Sequence, residues 1–134
     1  MKEEKNGIDY NRELIDSSVW MDYFVLGNFK EIIEIEKELY LSVISMFEIK
    51  TKLIKKKINK DKIKEKIDFI KAKSIIIDLD NETAETAAEI AAEKDLPMAD
   101  ALIYSSAFVL TLSFIAWAKR LPKSFSFSVS CSPG

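Results

Sequence analysis

The sequence predicts an α/β domain in which helices cover a central, mostly parallel sheet of four or five strands. Short apolar and β-branched runs recur along the chain, at Leu14-Ile15, Leu39 to Ile44, Ser74 to Leu79 and Phe114 to Trp117. Between them lie longer segments whose apolar residues return at helical spacing, and strands that alternate with helices in this way favour a parallel sheet. The length of 134 residues, with 48% hydrophobic and 31% charged content, suits one soluble domain that buries about two thirds of its unfolded surface.

Residues 1 to 12 are polar and read as a flexible N-terminal extension, residues 13 to 118 as the folded domain, and residues 119 to 134 as an atypical tail. Leu14-Ile15 form a short first strand that ends on Asp16. Val19 to Leu26 and Phe29 to Glu38 are expected as helices parted at Gly27-Asn28, before the second strand at Leu39 to Ile44. Helix resumes from Met46 to about Lys57, with apolar Phe47, Ile49, Leu53 and Ile54. Ile63, Ile67 and Ile70 give the next, Lys-rich helix a single apolar face. Ser74 to Leu79 is the third strand, and Asp80 or Asn81 is placed to cap the Ala-rich helix that runs to about Lys94. Pro97 suits the start of a helix beginning MADALIYSSA, and Phe114 to Trp117 is the fourth strand.

Composition removes whole classes of chemistry. There is no histidine, so Ser-His-Asp and Cys-His triads and His-bound zinc are excluded. The single Cys131 leaves neither an intramolecular disulfide nor a thiolate metal cluster, and no signal-peptide pattern opens the chain, so a reducing cytoplasm is expected. Three dispersed glycines, Gly7, Gly27 and Gly134, exclude a Walker loop and a dinucleotide fingerprint. What remains is carboxylates, hydroxyls and Lys, and carboxylates without His or Cys favour hard cations such as Mg²⁺ or Mn²⁺.

Three acids share a context. Asp16, Glu48 and Asp100 each lie where a helix begins, and two of them closely follow an expected strand. In open α/β sheets the carboxyl ends of the strands line the ligand crevice, so the three side chains are candidates to meet on one rim. Each also has a simpler reading. Asp16 is placed to cap its helix, Ser45-Met46-Phe47-Glu48 matches a capping box, and Asp100 suits the dipole of a first turn. If the three converge the balance shifts, because two carboxylates about 4 Å apart repel by about 4 kcal/mol at an effective dielectric of 20. A divalent cation offsets that repulsion.

The stretches LIDSSVW, SMFEIK and LPMADALIYSSA, in that order, resemble the PIN-domain nucleases, and especially the toxin subunit of VapBC-type toxin–antitoxin pairs. SIIIDLDNETAETAAEIAAEKDLPMADALI is similar to the strand–helix–helix unit that precedes that family's third acid. The resemblance covers roughly residues 13 to 118 and implies a three-layer α/β/α fold that hydrolyses RNA with Mg²⁺ or Mn²⁺. It implies Asp16, Glu48 and Asp100 as metal ligands and catalytic residues, with Ser17 as a candidate substrate contact beside them. It further implies a homodimer silenced by a cognate VapB-like antitoxin.

The end of the chain departs from that pattern. The family carries a fourth acid in a stretch like L-[VI]-T-x-D, whereas this chain reads Phe114-Ile115-Ala116-Trp117-Ala118, with Ala118 in the acid's place. No Asp or Glu follows Asp100, and eight of the last 34 residues are Ser. The tail SFSFSVSCS alternates like an edge strand, or marks a break in composition from a degenerate gene end. A second reading therefore stays open: an impaired remnant that binds antitoxin or RNA without efficient cleavage.

Two further stretches bear on partners. Lys50 to Lys73 holds eleven Lys against three acids in a chain of net charge −2. Such a surface either steers an RNA backbone or simply keeps a helix solvated. Ala101 to Ala118 carries no charge over 18 residues, the length of a membrane-span candidate. A buried helix followed by a central strand explains that run within the α/β rhythm, and no membrane association is expected.

Overall fold

The structure is a computed structural model that describes the backbone of residues 4–5 and 8–116 and the side chains of residues 11–116. Its elements run β1 (Glu4–Lys5), β2 (Ile8–Ile15), α1 (Ser17–Leu26), α2 (Lys30–Ile33), β3 (Glu38–Ser42), α3 (Val43–Lys55), α4 (Lys60–Lys73), β4 (Ser74–Ile77), α5 (Asn81–Lys94), α6 (Met98–Val109) and β5 (Leu112–Ile115). Four strands lie parallel in the order β5-β2-β3-β4, and β1 pairs antiparallel with the start of β2. Opposite residues include Leu14 with Tyr40 across β2 and β3, and Leu14 with Phe114 across β2 and β5.

Alternation along the strands builds two cores. Ile15, Leu39, Leu41 and Ile115 point to one face, where Val19, Trp20, Ile49, Leu53 and Ile70 of α1, α3 and α4 cover them. Leu14, Tyr40 and Phe114 point to the other, against Ile103 and Ala107 of α6. A small third cluster of Ala87, Leu96 and Ala101 holds α5 on α6. Both faces of the sheet are thus buried, which is why its strands read as near-continuous apolar runs. Trp20 has no exposed surface, and its truncation to Ala is expected to cost about 3–5 kcal/mol. The uncharged stretch from Ala101 divides into α6 and β5, and among the described residues no helix is long and apolar enough to cross a membrane.

Several boundaries differ from the sequence expectation. The first strand starts at Ile8 rather than Leu14, because residues 8 to 12 find partners in β1, β3 and β5 whatever their polarity. The helix expected over Phe29 to Glu38 shrinks to Lys30–Ile33. Phe29 and Ile33 fill the core, but Glu34, Ile35 and Glu36 are exposed, so nothing apolar anchors a further turn before Glu38 joins the sheet. The second strand ends at Ser42, whose hydroxyl accepts from the Ile44 amide at 3.1 Å and starts α3 three residues before Met46. Asp80, rather than Asn81, caps α5 through the Thr83 amide at 2.8 Å. Gly27 closes α1 at φ +72°, a left-handed conformation that glycine adopts without a Cβ clash. Trp117, Ala118 and the alternating tail lie outside the described residues.

Candidate active site

The chain leaves β2 toward the α1–α4 face and returns to its neighbour β5 from the α6 face. Adjacent strands whose connections run to opposite faces open a crevice at their carboxyl ends, where ligands of open α/β sheets bind. Asp16 stands at that point. Its amide donates to the Ile115 carbonyl at 2.9 Å, so the pairing of β2 with β5 extends to the residue itself.

Asp16 is wholly buried and is the N-cap of α1. One carboxylate oxygen, Oδ2, accepts from the Ser18 amide at 3.1 Å and from the Ser18 hydroxyl at 2.6 Å. The simple capping role expected of Asp16 is therefore present, and two donors from one residue fix how its carboxylate is held. Sequence reasoning passed over Ser18, although an Asp at a helix N-cap regularly accepts from the amide two residues on.

Glu48 behaves otherwise. The capping box with Ser45 is overturned, since Ser42 is the cap and both Ser45 and Glu48 lie inside α3. The carboxylate of Glu48 instead accepts the Ser17 hydroxyl at 2.8 Å, across 31 positions of sequence. Ser17 is completely buried and Glu48 half-buried. The structure thus brings Glu48 to the residue next to Asp16.

Asp100 lies half-buried in the first turn of α6, as its sequence context suggested. Only Leu110 and Thr111 separate α6 from the start of β5, and the helix is about 18 Å long at 1.5 Å per residue. Packed back along β5, it carries its first turn to the carboxyl edge. Helices α3 and α6 touch although they cover opposite faces of the sheet.

The donor set here consists of carboxylates and hydroxyls, the oxygen ligands that hard divalent cations prefer. Asp16 and Glu48, joined through Ser17, fit such an ion in chemical kind. Among the described residues no three acidic or thiol side chains stand close enough to hold one together.

Two displaced pKa values lie near this region. Glu13 is buried just before the site; desolvation raises its pKa, and the Lys37 ammonium at 3.4 Å opposes the rise. In α1, burial and a 2.7 Å hydrogen bond to Glu34 push the Tyr23 phenol up to about 12. Tyr23 belongs to a groove of about 710 Å³ between α1 and α4, lined by Phe24, Phe69, Lys62 and Lys66 among others. The rings of Tyr23 and Phe69 stack at 6.0 Å, and the Lys66 ammonium lies 4.9 Å from the centre of Phe24. This groove, whose lining also includes Lys30, Glu34, Glu65 and Asp68, shares no residue with the acidic edge.

Solved structures share the architecture. VapBC2 from Rickettsia felis, bound to a DNA fragment from its promoter, superposes with a TM-score of 0.69 at 18% identity, covering 83% of this chain and 93% of its own. A toxin–antitoxin complex from Klebsiella pneumoniae gives 0.65 at 19% identity, over 81% and 88%. VapC20 from Mycobacterium tuberculosis, a toxin that cleaves the sarcin-ricin loop, gives 0.63 at 14% identity, over 75% and 85%. Identities this low establish the fold alone. No curated protein sequence matches the chain. Residues 14 to 118 match the family model described as PIN domain, and on that match the chain, with its three-layer fold, belongs to the PIN domain family.

Proposed function

We propose that the protein is a VapC-like toxin, a divalent-metal-dependent endoribonuclease that hydrolyses RNA phosphodiester bonds at the carboxyl edge of its sheet. The observation that carries this reading is the Ser17–Glu48 hydrogen bond, which joins α3 to the start of α1 beside a buried Asp16 within a PIN domain. A structural cap would not require Glu48 to reach another helix.

In this reading Asp16 and Glu48 would hold Mg²⁺ or Mn²⁺, and Asp100 would join them only as the ion draws the first turn of α6 inward. When bound, the cation supplies the positive charge that activates water and offsets the negative charge of a phosphate. Ser18 holds the Asp16 carboxylate in one orientation, and Ser17 aims Glu48. Asp100 adds its charge from the first turn of α6. Pre-set orientation of this kind matters because ligands left to rotate lose binding and rate together. The partner is a cognate VapB-like antitoxin, for which the aromatic groove between α1 and α4 offers a surface suited to an amphipathic helix. The protein acts in the cytoplasm, as a homodimer.

The sequence after β5 favours a second reading. Ala118 stands where the family pattern has its fourth acid, which is the arrangement of a catalytically impaired PIN domain that retains antitoxin or RNA binding. Ala118→Asp separates the two. An impaired but otherwise sound site regains cleavage in the variant, whereas an active enzyme shows similar rates before and after. RNA cleavage with Mn²⁺, compared with Asp16→Asn, tests the first reading.

A further inference from the structure

Helix α3 carries more than Glu48. On a helix, positions i, i+4 and i+7 share a flank, so Lys52 and Lys55 follow Glu48 down one side of α3 while Ile49 and Leu53 face the core. At 1.5 Å per residue the two Lys lie about 6 and 10 Å along the axis from Glu48. Both are exposed, and among the described residues neither has an ion-pair partner. The basic line continues through Lys56 and Lys57 to Lys60 at the start of α4. Other lysines of this region are already engaged: Lys64 pairs with Asp68 at 2.7 Å, and Lys66 lies over Phe24.

This distribution is not that of a uniformly solvated surface. Lys50 to Lys73 holds eleven Lys and three acids, so within a chain of net charge −2 the positive charge is concentrated here. All three acids, Asp61, Glu65 and Asp68, lie in α4, leaving the α3 portion purely basic. A row of free cations that begins one turn from a candidate cation-binding carboxylate matches a polyanion whose charges repeat along a strand.

We propose that Lys52 and Lys55 form a backbone-binding track for single-stranded RNA, holding phosphates next to the one presented at Glu48. The proposal rests on the ribonuclease reading and names its substrate path. The contacts are to phosphate rather than to bases, since the aromatic of α3, exposed Phe47, lies about 80° around the helix from Lys55 and about 100° from Glu48. Substitution should therefore weaken binding to all sequences alike. A purely helix-stabilising role through the i to i+4 spacing of Glu48 and Lys52 would instead lower thermal stability and leave RNA affinity unchanged.

The test is binding of a fluorescent single-stranded oligoribonucleotide to the full chain in EDTA, where metal-dependent cleavage is stopped, across salt concentrations. Each phosphate contact to a single strand contributes about −0.7 to the slope of log affinity against log salt. Lys52→Ala/Lys55→Ala should flatten that slope by about 1.4, so that wild type loses about seven-fold more affinity than the variant between 50 and 200 mM salt. Lys94→Ala, on α5, should leave the slope as it is. An unchanged slope in the double variant, or no RNA binding by wild type, overturns the track. Binding of an acidic peptide but not RNA at these lysines would overturn it too, in favour of a protein partner. Cleavage with Mn²⁺ by the same wild-type preparation judges the ribonuclease reading separately, so the two failures are distinguishable.

Discussion

The hydroxyl of Ser17 donates to the carboxylate of Glu48 at 2.8 Å and so locks the first turn of α1 to the second turn of α3. Neither residue is tied there by helix capping. The bond makes sense as a device for orientation, and Ser17→Ala tests it. A hydrogen bond to a charged group contributes about 1.5–3 kcal/mol, toward the lower end here because Glu48 is half-buried. The expected outcome is a modest fall in thermal stability together with a drop in Mn²⁺ affinity of about 10-fold or more, as for residues that orient a metal ligand. Mn²⁺ titration by calorimetry checks this, and Ser17→Thr, which keeps the donor, should recover most of the affinity.

Asp16 has two roles that substitution separates. Asn caps a helix nearly as well as Asp, whereas Ala loses about 1 kcal/mol at an N-cap. Asp16→Asn is thus expected to keep the melting temperature within a few degrees of wild type, and Asp16→Ala to lower it clearly, while both lose metal binding. Thermal melts with and without Mn²⁺ read the two effects side by side.

Glu13 predicts a pH dependence of stability. Burial raises its pKa in the folded chain above the usual carboxylate value of 4.5. The folded state therefore takes up a proton more readily than the unfolded one. The associated stability is fully present below the unfolded pKa and is lost as pH rises through the raised folded value. Glu13→Gln should raise the melting temperature at pH 7 relative to wild type, with the difference shrinking at pH 4. A larger difference at pH 4 than at pH 7 would reverse the sign and rule out the desolvated carboxylate as its source.

Much of the architecture was legible because burial on both faces writes itself into strands as apolar runs. Ile75-Ile76-Ile77 and the Ile63, Ile67, Ile70 stripe became β4 and the core face of α4. Residues 8 to 12 were opaque, since their strand is set by backbone pairing with neighbours distant in sequence, which side-chain polarity does not report. The start of α3 was misplaced because Ser42 and Ser45 are both good caps; the length of β3, fixed by its pairing with β2 and β4, made Ser42 the one used. For the site, no local pattern relates Ser17 to Glu48 across 31 residues. That contact exists only once two strand–helix junctions stand side by side.

The most direct test of the account is single-turnover cleavage of RNA in Mn²⁺ by wild type and by Asp16→Asn, with folding of both confirmed by thermal melt. Wild type is expected to cleave, with cleavage abolished by removal of the metal and absent from Asp16→Asn. Equal rates for the two proteins would contradict it, because the buried carboxylate at the end of β2 would then be a helix cap and nothing more.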